Sequence, residues 1–405
     1  SSLNVLGMLG LSCYILADTF FVSLGLGADG LAALNLAIPI YSFINGSGLM
    51  IGMGGGTRYS ILRSQGDRQE ADQTFTQALY RLFGGTGQVF TMSRTYLRVI
   101  LLFSPAFLMN NVLLCFVRND GAPQLAMTAM IVGSLSNVVL DWVFIFPLGM
   151  GILGAVLATG WAPILSIAIL SAHFWRKHNQ FRPVPCKPQG QLLGRILSSG
   201  APSLVTEVSS GIVMIVFNTL ILSLEGNIGV AAYGVIANLS LVVIAMFTGI
   251  AQGMQPILSQ GYGRGDTKGL SSILRYGLLT TVVLSALIYG LMAAFAPQIA
   301  WVFNSENDPT LQEIATQGLR LYFTACPFAG CNVVLSMYFT STERPRPAHA
   351  ISLLRGFFII LPLAFGLAWL GGMTGIWLAF PVTEFLVAIL AAALLIRCKR
   401  PAKKS

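Results

Sequence analysis

The chain alternates long apolar stretches with short polar punctuation. The apolar stretches cover residues 3–24, 31–57, 97–117, 124–147, 152–174, 195–223, 229–258, 274–302, 319–341, 349–370 and 374–396. Each is predominantly apolar over about 20 residues or more, the length an α-helix needs to cross a bilayer core. Lipid offers no partner to a backbone N–H or C=O, so stretches of this kind predict transmembrane helices whose backbone bonds are all internal. Composition agrees: 55% of the 405 residues are hydrophobic and 10% charged, whereas a water-facing domain carries about 25% charged residues. The fold class is therefore an all-α integral membrane protein. The first span contains Asp18 and no small-residue cleavage site, so it reads as a retained helix and not as a signal peptide.

The pattern repeats. Residues 31–67 align without gaps to 230–266, with Ala32/Ala231, Ala33/Ala232, Gly54/Gly253, Ser60/Ser259, Gly66/Gly265 and Asp67/Asp266 coincident. A second block aligns Arg98/Arg320, Pro105/Pro327, Asn110/Asn332, Leu113/Leu335, Pro123/Pro345 and Gly149/Gly371. The first offset is 199 and the second 222, a difference of 23 residues, the length of one membrane helix. Span 274–302 fills the interval in the second half, while the first half has only the stub around Phe75–Phe83. The reading is two six-helix bundles related by internal repeat, with the third helix missing at a join near Leu79–Leu82. Residues 1–175 form the N-terminal lobe, 176–194 a basic linker and 195–405 the C-terminal lobe with a basic tail.

Charge supports the same layout. The net charge of +9 suggests nucleic acid only until the cations are placed. With a cytoplasmic N-terminus and the absent helix counted, nineteen Lys and Arg fall on the cytoplasmic side, Arg58, Arg118 and Arg344 among them. Only Arg81, Arg94, Arg98 and Arg320 fall outside, and Arg355 lies within a span. That is a strong positive-inside bias, and it predicts a multi-pass plasma-membrane protein with both termini cytoplasmic and no nucleic-acid partner. Two six-helix halves in parallel repetition are a transporter plan, with cargo held near the midplane between them.

Chemistry is sparse. The six cysteines show no CxxC or Cys/His spacing and read as small apolar residues. No nucleophile-and-base pair or metal-ligand set suggests an enzyme or a cofactor. Gly52–Gly56 lacks the strand and GK[ST] of a phosphate loop and reads as close helix packing. His173 and His178 read as solvated members of a basic loop. Ionisable residues inside a span are costly and point to function; here they are Asp18, Asp141, Glu207, Glu384 and Arg355. Asn137 and Asp141 are four apart and share a helix face. A carboxylate beside an amide oxygen suits a hard cation or a proton; a tie between helices is the alternative. Glu207 is a candidate for cationic cargo or a proton. Glu384 falls in the last span, at the rim of the second bundle, and Arg355 reads as the structural partner of a carboxylate.

The motifs at 17–40 (ADTFFVSLGLGADGLAALNLAIPI), 52–67 (GMGGGTRYSILRSQGD) and 136–159 (SNVVLDWVFIFPLGMGILGAVLAT) together resemble the multidrug and toxic compound extrusion (MATE) family over nearly the whole chain. The resemblance implies two lobes in a V that open alternately to either side, driving export of amphipathic organic cations by entry of Na⁺ or H⁺, and a monomer in the lipid. In the DinF-like branch the N-terminal lobe holds a cation site, and Asp18, Asn137, Asp141 and Thr159 stand at its positions. The NorM-like branch carries an acid on the tenth helix, whereas Leu319–Phe339 has none, which disfavours a coupling site of that type in the second lobe. A flippase for lipid or lipid-linked oligosaccharide is the alternative within the superfamily. It would want a cationic cavity, and the spans offer it only Arg355.

Overall fold

The computed structural model describes residues 5–8, 10, 43–65, 94–175, 179–181, 184, 189–304 and 308–399. Asp18, His178 and the join near Leu79–Leu82 lie outside these residues. Every regular element among them is helical. The first lobe contains α1 (residues 43–64), α2 (Arg94–Asn119), α3 (Pro123–Ile145) and α4 (Gly151–Trp175). The second contains α5 (Gly190–Gly263), α6 (Thr267–Ala294), α7 (Ala296–Phe303), α8 (Pro309–Tyr322), α9 (Cys326–Ser341), α10 (Pro345–Leu353) and α11 (Ile360–Lys399). A 3₁₀ turn at Phe323–Ala325 joins α8 to α9, and a π turn at Leu354–Phe358 joins α10 to α11.

Two elements are too long for one crossing. A straight helix of 74 residues would run about 110 Å, several times the bilayer core. The chain breaks α5 at Gly226 (φ 61°, ψ −151°) and α11 at Gly372 (φ 53°, ψ −133°), a region of φ/ψ space that glycine enters without a Cβ clash. Each element thus folds into a hairpin of two crossings, matching the paired apolar stretches of the sequence. The repeat is visible in the backbone. Gly149, at φ 59°, turns the chain between α3 and α4, one residue out of register with Gly372.

Each lobe has its own core. In the first, Tyr59, Val112, Phe116, Val117, Ala129 and Leu170 pack together from α1 to α4. In the second, Phe217, Ile236, Phe247, Leu319, Phe323 and Trp377 form the centre. Met254, Leu274, Val334 and Phe339 form a further cluster at one end. Large apolar side chains such as Leu135, Val139, Leu287 and Trp369 are exposed, as lipid-facing positions are.

The lobes meet along α1. A Cβ on Gly54 would run into the Ile196 carbonyl, and one on Gly200 into the Met50 carbonyl. The GMGGG stretch is thus a close-packing surface, and it lies between lobes. Beside it, Gln255 Nε2 donates to Thr57 Oγ1 at 3.0 Å and to the Met53 carbonyl at 3.3 Å. Arg58 Nη1 pairs with Glu343 Oε1 at 2.8 Å. Glu343 has φ 50°, a conformation rare for a residue with a Cβ.

The linker is anchored to the first lobe. Phe181 is fully buried, its ring against those of Tyr59, Phe116, His173 and Phe174. Asp120 underpins this cage. It accepts from Tyr59 Oη at 2.5 Å, from the Gln180 backbone N–H at 2.8 Å and from Arg63, and its Oδ2 lies 2.9 Å from His173 Nε2. His173 is accordingly 4% exposed, which corrects its reading as a solvated loop residue. Its position among basic neighbours concealed a carboxylate contributed from 53 residues away.

Candidate transport site

The repeat pattern and the Asn137–Asp141 spacing converge on one region. Asn137 and Asp141 lie on α3 with no exposed surface, and Thr159, on α4, is 5% exposed. With its amide turned to satisfy both neighbours, Asn137 donates to Asp141 Oδ2 at 3.1 Å and accepts from the Thr159 backbone N–H at 3.1 Å. The Thr159 hydroxyl returns to the Ala155 carbonyl at 3.0 Å. Gly133, on the same helix as Asn137, lets α4 approach: a Cβ there would sit 3.3 Å from the Ala162 carbonyl. Three of the four residues implied by the family resemblance are therefore brought together. The fourth, Asp18, lies outside the described residues. In this arrangement the Asn137 oxygen is taken by the Thr159 N–H and its amide N–H faces the carboxylate, so Asp141 is the acidic group of the set.

Thr159 also faces a cavity of about 120 Å³. Its wall in the first lobe includes Asn110, Asn111 and Arg118 of α2 and Ser166 of α4. Glu207, Thr248 and Gln252 of α5 close it from the second lobe. Glu207 interacts with the side chain of Asn45 on α1, and Asn45 Oδ1 accepts from Asn111 Nδ2 at 2.9 Å. The acid named from sequence as a cargo or proton site thus stands in the cavity, at the junction of the lobes. Arg118 was counted from sequence among loop cations; it is 4% exposed and lines the same cavity. Its place in the last turn of α2 gave the sequence reading no sign of this.

Glu384 is away from this site and is not at a rim. It is fully buried. Arg355 Nε donates to its Oε1 at 2.6 Å, and Asn332 Nδ2 donates to its Oε2 at 2.8 Å and to its backbone carbonyl at 2.9 Å. This set ties α9, the π turn and α11 together. Arg355 is the structural partner its sequence position suggested. The correction to Glu384 follows from the π turn, which swings Arg355 onto the last helix. Asn110 and Asn332, equivalent in the repeat, thus do different work: one lines the cavity, the other serves the ion pair.

A two-lobed bundle of membrane-crossing helices, with a polar cavity where the lobes meet, defines a membrane transporter. The chain belongs to the MatE family, whose sequence model matches residues 73–143 and 202–365, more than half of its length. It is 24% identical to the multidrug export protein MepA of Staphylococcus saprophyticus, over 93% of this chain and 88% of that protein. Among solved structures, a multidrug resistance MATE transporter in an outward-facing conformation superposes with a TM-score of 0.87 at 23% identity, covering 98% of this chain and 94% of that one. A transporter of the MOP superfamily from Pyrococcus furiosus, described by the reversed polarity of its binding pocket, gives 0.85 at the same identity and coverage. At this identity the structural matches establish the fold.

Proposed function

We propose that this protein is an antiporter that exports amphipathic organic cations across the plasma membrane in exchange for inward-moving Na⁺ or H⁺. The observation that carries the reading is the position of Thr159, which belongs both to the buried Asn137–Asp141 set and to the cavity wall. A cation or proton taken up at Asp141 acts on α3 and α4, and both helices contribute to the wall that cargo touches. Uptake there changes the cavity without any direct contact between ion and cargo. Glu207 offers the cationic end of cargo a counter-charge from the second lobe.

Exchange then follows from differential affinity. The ion favours one arrangement of the lobes and cargo the other, so each ligand weakens the other's binding by the same factor. On the orientation expected from the positive charges, the α1 contacts lie at the cytoplasmic end, which suits an arrangement that releases cargo outward. Na⁺ and H⁺ both suit the Asp141 carboxylate. Monomeric function in the lipid fits a cavity built by one chain.

The test is efflux of a fluorescent cationic dye from proteoliposomes under imposed Na⁺ or H⁺ gradients, with Asp141→Asn beside the parent. The substitution keeps the shape and the hydrogen bond to Asn137 and removes the charge. Gradient-driven efflux should be lost while the protein elutes as a folded species. Unchanged efflux in the variant would refute the role given to Asp141.

A further inference from the structure

Three buried polar atoms without a partner among the described residues belong to residues that line the cavity: Nε of Arg118, Oδ1 of Asn110 and Oγ of Ser166. Buried polar groups of native proteins are nearly always satisfied, and those that are not call for a ligand, water or ion to complete them. Arg118 is the most demanding of the three, because it brings a full positive charge into a site 4% exposed. Its Nη1 donates to Gln252 Oε1 across the lobe junction and its Nη2 lies 3.7 Å from Cys115 Sγ. Both partners are neutral. The neighbouring carboxylate, Asp120, is taken up by Tyr59, Arg63, His173 and the linker.

We infer that Arg118 makes the inner end of the cavity an anion subsite that receives a carboxylate carried by the cargo itself. This rests on the reading of the cavity as the cargo site and adds a determinant of specificity to it. The guanidinium presents Nε and Nη in one plane, the fork that fits a carboxylate. Glu207 supplies a carboxyl group on the second lobe, the group that a cationic end of cargo would pair with. It lies seven residues beyond Gly200, about 10 Å further along α5, where Gly46 of α1 packs against it. The cavity is thus bipolar, and it selects cargo that bears an amine or iminium at one end and a carboxylate at the other. One guanidinium matches one carboxylate. A diphosphate would want several, and the other cation considered from sequence, Arg355, is neutralised by Glu384.

Rhodamine B and its ethyl ester test this, since they share one cationic xanthene and differ in a free carboxylate. Binding of each to the purified full chain is read by fluorescence anisotropy for the parent, Arg118→Gln and Arg118→Lys. A charge-assisted bidentate contact should give the parent a preference for rhodamine B of about tenfold or more. Arg118→Gln should abolish that preference, with rhodamine B the more weakened of the two dyes, and Arg118→Lys should keep part of it. Equal affinities in the parent would overturn the proposal, and that comparison holds even if Arg118→Gln does not fold. A preference that survives in Arg118→Gln, or equal weakening of both dyes, would overturn it as well. Free benzoate that raises ester binding to the rhodamine B level would assign the subsite to a free anion and overturn the cargo-borne carboxylate. A parent that binds neither dye would remove the cargo-site reading and this inference with it. Binding with the expected preference but no export would leave the subsite standing and refute export alone.

Discussion

Removing Arg355 should expose how much the second lobe depends on one ion pair. Glu384 is fully buried and Arg355 nearly so, at 14% side-chain exposure, with Nε–Oε1 at 2.6 Å. Taking away one member of a buried pair leaves the other charge desolvated and uncompensated, at a cost of about 3–5 kcal/mol. Arg355→Leu should therefore destabilise the protein by about that much, since the amide of Asn332 alone cannot replace a cation. Replacing both members with apolar residues removes the stranded charge, and for many buried pairs the result is close to neutral. The double variant Arg355→Leu with Glu384→Leu should thus recover most of the loss, giving a coupling energy of similar size in a double-mutant cycle. Unfolding by SDS in mixed micelles, followed by tryptophan fluorescence, measures all four proteins. A single variant within about 1 kcal/mol of the parent, or a double variant as unstable as the two singles combined, would refute the reasoning.

Two further substitutions test the joints of the fold. Gly200→Val places a side chain against the Met50 carbonyl and should shift the lobe equilibrium away from the closed contact by roughly tenfold, the effect of about 1.4 kcal/mol of overpacking. Cross-linking of cysteines placed at Arg58 and Glu343 by a short bis-maleimide reads that shift, and an unchanged yield would contradict it. Phe181→Ala empties the aromatic cage of the linker. At about 3 kcal/mol for a lost buried ring, tryptic cleavage at Arg176, Lys177 or Arg182 should accelerate roughly 100-fold; cleavage at the parental rate would show that the cage does not hold the linker.

Much of this architecture was legible because membrane helices announce themselves locally. The spans follow from runs of apolar residues, and the hairpin turns at Gly226 and Gly372 fall in the gaps between them. Asn137 and Asp141 were paired by helical spacing alone. Thr159 was not: a single hydroxyl on an apolar helix normally bonds its own preceding turn, as this one also does, and only the family resemblance marked it. Charges near helix ends were the least legible. Arg118 was counted among cytoplasmic cations and His173 read as part of a basic loop, whereas their partners, Gln252 and Asp120 respectively, arrive from distant positions. Glu384 was misplaced for a related reason, because its partner is delivered by a π turn that leaves no periodic trace in the sequence.

The central claim is exchange, and reciprocity tests it most directly. Proteoliposomes at clamped membrane potential, loaded with Na⁺ or buffered to an acidic interior, should be given an inward gradient of cationic dye while the ion is followed. The account predicts that dye entry drives out one of the two ions, and that Asp141→Asn abolishes this coupled release. Dye flux through the parent with no counterflow of either ion would contradict it.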